Sequence, residues 1–175
     1  MNNSPDRPYV LVFLGTKAQF IKTAPILSEM DTQGLNYRLI YTGQHSETFD
    51  LLEKALHTRT ADEIIVPSFE ADTHISFLKW TFKFWYAALR RMRSPDWRHA
   101  AVALVHGDTA STLFGALAAR LAGVRVAHIE AGLRSPKLWE PFPEELIRRW
   151  VSRFSELHFA PDATSVANLD RIRGR

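Results

Sequence analysis

Short apolar runs recur along the chain, separated by longer stretches in which apolar residues return every three or four positions. The runs over 9–14, 37–41, 63–66, 101–105, 124–129 and 156–159 are predicted strands. The stretches over 20–30, 47–56, 73–93, 109–122, 143–154 and 163–172 are predicted helices. This alternation is the sign of βαβ units, so the expected fold is α/β: a Rossmann-like, mostly parallel sheet with helices on both faces. Residues 10–14 and 101–105 are apolar at every position, as strands covered on both sides must be. Ser94-Pro95-Asp96 reads as a loop after the third helix, and residues 134–142 as a longer one. Neither a repeat nor an interdomain linker interrupts the pattern.

The helix from Thr73 to Arg93 departs from ordinary amphipathicity. Phe77, Leu78, Trp80, Phe82, Phe84, Trp85, Ala88, Leu89 and Met92 spread over roughly 200° at 100° per residue, while Lys79, Lys83, Arg90 and Arg93 share the remainder. One sheet face does not hide so wide an arc. Contact with another subunit or lobe through Trp80 and Trp85 is the favoured expectation; an extra-deep core and membrane-surface binding are the alternatives.

The 175 residues, 46% of them apolar, suffice for one domain with a sizeable core. No cysteine is present, which removes disulfides, thiolate metal sites and a cysteine nucleophile from consideration. Met1 to Pro8 is polar and broken by Pro5 and Pro8, without the basic head and apolar stretch of a secretory signal, so a cytoplasmic location is expected. Lys79 and Lys83 interrupt the most hydrophobic stretch, and no membrane span is predicted. The net charge of +3 is modest and suits an anionic small molecule; no nucleic-acid partner is assigned.

In sheets of this kind ligands bind beyond the carboxyl ends of the strands. Four segments fall there: Gly15-Thr16-Lys17, Thr42-Gly43-Gln44-His45, His106-Gly107-Asp108-Thr109, and Glu130 to Arg134. Asp108 precedes a helix, and on local grounds alone an N-cap is its first reading. Glu130 follows an apolar strand and needs a partner, for which Arg134 is the candidate. Glu144 and Glu145 follow Pro143 in a first helical turn; a dipole-complementing role suits Glu145 and leaves Glu144 open. Lys17 and Lys22 are placed to meet phosphate near a helix N-terminus. The two His-x-acid pairs, His106/Asp108 and His128/Glu130, offer four metal-capable groups, although His128 lies inside an apolar strand and fits a hydrogen-bonded core residue better. No cofactor fingerprint occurs: G-x-G-x-x-G and Walker A patterns are absent.

Taken together, Gly15-Thr16-Lys17 with Ile21-Lys22 and Ala24-Pro25, Thr42 to His45, Val105 to Thr109, His128 to Arg134, Pro143-Glu144-Glu145 with Arg148, and His158 to Pro161 resemble the non-hydrolysing UDP-N-acetylglucosamine 2-epimerases. The order and spacing match the N-terminal domain of that family. The resemblance implies one lobe of a two-lobed, glycosyltransferase-B-type enzyme whose cleft interconverts UDP-GlcNAc and UDP-ManNAc. UDP is eliminated to give a 2-acetamidoglucal, then re-added with the opposite configuration at C2. Block by block, Asp108, Glu130 and Glu144 match the catalytic carboxylates, and Lys17, Lys22 and Arg148 the basic active-site positions. Gln44 and His45 match a block that in some members helps hold a second, regulatory UDP-GlcNAc. The implied partners are a UDP-sugar and either a C-terminal lobe or a second subunit; no metal or other cofactor is implied.

Lys17-Ala18-Gln19 stands where the family usually has Arg-Pro-Glu, and Ile147 where it usually has Asn. The first change keeps a charge but loses the planar fork of arginine. The chain ends at Arg175, where the family continues into its UDP-binding lobe. The expectation is therefore an N-terminal half, residues 1–175, inactive without the C-terminal lobe. A single-lobe binding module and a metal-dependent hydrolase are the rival readings.

Overall fold

A computed structural model describes residues 8–45, 49–67, 69–137 and 139–173. Six strands form one sheet: β1 (Val10–Leu14), β2 (Tyr37–Tyr41), β3 (Glu63–Ile64), β4 (Val102–His106), β5 (Val126–Ile129) and β6 (Leu157–Phe159). Their spatial order is β3-β2-β1-β4-β5-β6, and all five neighbouring pairs are parallel. Between them run α1 (Lys17–Thr32), α2 (Phe49–Leu56), α3 (His74–Arg91), α4 (Pro95–Arg98), α5 (Ala110–Leu121), α6 (Glu144–Phe154) and, last, α7 (Ala163–Arg173). The doubly wound order reverses between β1 and β4, and the crevice at that switch point is where such sheets take ligands.

The uniformly apolar strands do cover two cores. Leu11 and Phe13 of β1, with Ala103 and Val105 of β4, face Trp80, Phe84 and Ala88 of α3 and Ala116 and Ala119 of α5. Val12 and Leu14, with Leu104, face Phe20, Ala24 and Leu27 of α1 and Phe49 of α2. Period-2 alternation thus sends neighbouring apolar residues to opposite layers.

Several boundaries differ from the sequence-based expectation. Pro95 opens a one-turn helix, α4, at the first helical position where its missing N–H costs nothing, so this segment is not a plain loop. The strand expected over 63–66 shortens to two residues. There Glu63 pairs with Arg91, and Val66 packs so close to Gly43 that a Cβ on Gly43 would overlap the Val66 carbonyl. The 134–142 loop carries an isolated bridge between Lys137 and Glu140. Met1 to Arg7, Glu47, Thr48, Leu138 and Arg175, on which earlier expectations touched, lie outside the described residues.

The wide apolar arc of α3 separates into two stripes. Trp80, Phe84 and Ala88, at helical spacing, are fully buried. The Trp80 indole stacks on Phe114 at 5.2 Å and donates to the Thr42 carbonyl at 3.0 Å. Trp80 is therefore a core residue, not the contact residue expected, and Trp85 is half-buried. The outward stripe is Leu78, Phe82, Tyr86 and Leu89, each more than half exposed. No described helix is long and apolar enough to cross a membrane.

Candidate active site

The β1–α1, β2–α2 and β4–α5 turns are tied together by short side chains and one amide. Gly15 sits where a Cβ would overlap Ser111 Oγ and Thr42 Oγ1, so the turn closes only without a side chain. Thr42 and Ser111 share a hydrogen bond of 2.7 Å, and Ser111 donates to Gln44 Oε1 at 2.6 Å. His45 donates its backbone N–H to the Gly15 carbonyl at 3.0 Å.

Gln19 holds this assembly from beneath. Its Oε1 accepts the N–H groups of Gly15 (2.9 Å) and Thr16 (3.1 Å), while its Nε2 donates to the His106 carbonyl and to Thr112 Oγ1, both at 2.8 Å. Oε1 takes two N–H groups and both amide protons are used, and the residue is buried. Sequence reasoning registered Gln19 only as a departure from a family pattern. Its polar type inside an otherwise buried turn was the signal available.

Glu130 follows β5 directly with φ of +60°, in the left-handed region that a non-glycine residue rarely adopts. That backbone turns its carboxylate towards α1, where Lys22 Nζ meets Oε1 at 2.7 Å. Oε2 lies 3.6 Å from Nε2 of His106. The expected partner, Arg134, instead donates to the Leu133 carbonyl at 2.6 Å. Burial pushes the Glu130 carboxyl up, but Lys22 and His106 together outweigh it and hold the group below its ordinary value. His106 is itself buried and shares a hydrogen bond with Thr23 Oγ1 at 2.8 Å through Nδ1. Burial lowers its pKa despite the neighbouring Glu130.

Asp108 is not the cap of α5. Thr109 is, accepting from Thr112 N in a reciprocal capping box. The Asp108 carboxylate pairs with Arg148 from the second turn of α6. Arg148 is steadied by Glu145, 3.6 Å away. Glu145 is fully buried and accepts from Ser135 N at 3.0 Å and Arg149 Nε at 2.7 Å, a stronger structural role than dipole complementation. Glu144 is half-buried, and its Oε2 has no hydrogen-bond partner among the described residues. Lys17, first residue of α1, is exposed. Ile147, where the family usually has Asn, packs in the core.

The two His-x-acid pairs meet through His106 and Glu130 but do not gather as a metal site. His128 is fully buried, bonded to the Gly107 carbonyl at 2.8 Å through Nε2, and desolvation pushes its pKa down to about 4. Among the described residues no three His, Asp or Glu side chains gather as a metal-binding group. The crevice instead presents two carboxylate–cation pairs, Lys22–Glu130 and Arg148–Asp108, with Lys17 and Gln44 in the segments that follow β1 and β2 and Glu144 opening α6. Such an arrangement suits an anionic substrate undergoing proton transfer.

A family model described as UDP-N-acetylglucosamine 2-epimerase matches residues 28–173. The UDP-N-acetylglucosamine 2-epimerase of Bacillus subtilis (strain 168) is 34% identical over 168 residues, covering 91% of this chain and 40% of that protein. The Campylobacter jejuni UDP-N-acetylglucosamine 2-epimerase is 31% identical over 163 residues with the same coverage of 91% and 40%. A crystal structure of the Neisseria meningitidis UDP-GlcNAc 2-epimerase bound to UDP-GlcNAc superposes with a TM-score of 0.77 at 31% identity, over 94% of this chain and 44% of that one. The chain therefore spans about 40% of the length of the curated relatives it matches.

Proposed function

The chain belongs to the UDP-N-acetylglucosamine 2-epimerase family, and from that premise we propose that it is the N-terminal half of a non-hydrolysing epimerase interconverting UDP-GlcNAc and UDP-ManNAc, with a separate C-terminal lobe completing the site. One observation carries the reading. Residues far apart in sequence, on α1, β5, the β4–α5 turn and α6, form the Lys22–Glu130 and Arg148–Asp108 pairs at a single crevice.

Elimination of UDP requires a group to take the proton at C2 while the C1–oxygen bond to the diphosphate breaks; re-addition returns a proton to the other face. Asp108 and Glu130 are each engaged by a cation. Glu144 keeps an oxygen with no partner among the described residues and is assigned the C2 proton. Lys17, Lys22 and Arg148 are assigned to the departing diphosphate, where positive charge stabilises the developing negative charge. Gln44 and His45 are assigned to a second nucleotide-sugar. The reaction is placed in the cytoplasm, in the supply of precursors for polysaccharide synthesis. The exposed α3 stripe is assigned to a subunit or lobe contact, because four large apolar side chains at helical spacing exceed scattered surface hydrophobicity.

The test is to mix the purified chain with a C-terminal lobe from a relative and follow UDP-ManNAc formation. The chain alone should give none. The mixture should turn over, and Asp108→Asn, Glu130→Gln or Glu144→Gln should each cost at least about 10²-fold. Associated, folded lobes without turnover would refute the assignment.

A further inference from the structure

Apart from the crevice, the face formed by α6, β6 and α7 holds a cavity of about 650 Å3. Arg134, Arg149, Arg153 and Arg171 line it, with Ser155 and Asn168 among the remaining wall residues, and among the described residues no aspartate or glutamate does. None of the crevice residues named above contributes to the wall. Glu145, the partner of the wall residue Arg149, is shared among Arg149, Arg148 and the Ser135 amide. Four guanidiniums thus line one open space, and the carboxylate that pairs with one of them, Glu145, is already divided among three donors.

Such a cluster repels itself until an anion enters. The protonated form of Arg134 is disfavoured by burial and by Arg149, Arg148 and Arg153, against which Glu145 acts. Each guanidinium offers a planar fork that matches two oxygens of a phosphate, and several forks around one space favour a ligand with more than one phosphate. The volume lies in the range of about 300–1,000 Å3 typical of small-molecule pockets, larger than a bare ion needs.

We propose that this cavity is a second, non-catalytic anion site that takes a diphosphate. The same chemistry is offered by inorganic pyrophosphate and by a nucleoside diphosphate, and the proposal does not depend on the assignment of the crevice.

The test is a titration of the 175-residue protein with pyrophosphate at low salt, read at the backbone amides of Ser155 and Asn168 by NMR. Both should shift saturably with a Kd of about 1 mM or tighter. Arg153→Ala/Arg171→Ala, two exposed positions, should weaken that Kd at least about tenfold, while Lys17→Ala/Lys22→Ala in the crevice should leave it unchanged. A parallel titration with UDP identifies the source: tighter binding than pyrophosphate assigns the nucleoside form, and equal binding assigns the diphosphate alone. No shift at Ser155 and Asn168 up to about 20 mM, or a shift that survives the double arginine variant, overturns the proposal.

Discussion

Lys22 on α1 and Glu130 at the end of β5 meet at 2.7 Å across 108 positions of sequence. The contact ties the second turn of a helix to a residue in strained backbone, and it fixes the charge state of that residue. Glu130 is held below its ordinary pKa of 4.5, so its contribution to stability is complete above that pH and is lost as the pH falls through the lowered value. Lys22→Met should flatten the melting temperature against pH in that acid window only. Because Lys22 is 54% exposed, the effect should be about 1 kcal/mol or less. An unchanged acid limb in the variant would show that Glu130 is held by something else.

His128 governs a different window. Its pKa falls from 6.5 to about 4, so the unfolded chain binds its proton first, and the contribution of the neutral imidazole is complete above pH 6.5 and lost as the pH falls towards 4. The difference amounts to at most about 3 kcal/mol. His128→Gln keeps an N–H donor for the Gly107 carbonyl but does not titrate. Denaturant titrations at pH 7 and pH 5 should differ less for the variant than for the native chain, the remainder belonging to His106, whose pKa burial also lowers.

Gln19→Glu restores the residue usual in the family and should nonetheless destabilise this chain. A carboxylate donates nothing to the His106 carbonyl or to Thr112 Oγ1, both now held by the amide at 2.8 Å. The expected loss is about 2–4 kcal/mol in urea unfolding, eased at acid pH where the carboxyl regains a proton. A loss below about 0.5 kcal/mol would mean that the turn is held without the amide.

Phe82→Glu and Trp80→Ala should separate the two stripes of α3. Phe82 is 69% exposed, so its replacement should leave the melting temperature within a few degrees while shifting sedimentation towards the monomer if that stripe is the contact. Trp80 is fully buried, and its truncation should cost about 3–5 kcal/mol. Unchanged mass for Phe82→Glu at concentrations where the native chain self-associates would remove the stripe from the interface.

The layered fold was legible because its strands are apolar at every position: Val12 and Phe13 each had to find a separate core. The four-residue α4 was not, since Pro95 after Ser94 signals a turn and a helix start equally well. In the site, Asp108 was ambiguous because Thr109 offers the same capping chemistry one position on, and only the placement of Arg148 shows which group does what. The partner of Glu130 was missed for a related reason. Arg134 is near in sequence, but the left-handed turn at Glu130 directs the carboxylate to Lys22, which no local spacing reveals. Gln19 escaped because satisfying both ends of an amide depends on three turns meeting in space.

The central claim, that this chain carries the carboxylates of a 2-epimerase, is tested most directly by the fate of the C2 hydrogen. In deuterium oxide, the chain mixed with a C-terminal lobe should incorporate solvent deuterium at C2 of both UDP-GlcNAc and UDP-ManNAc. Glu144→Gln should abolish that incorporation while leaving the two lobes folded and associated. Incorporation at the native rate in Asp108→Asn, Glu130→Gln and Glu144→Gln alike would contradict the account.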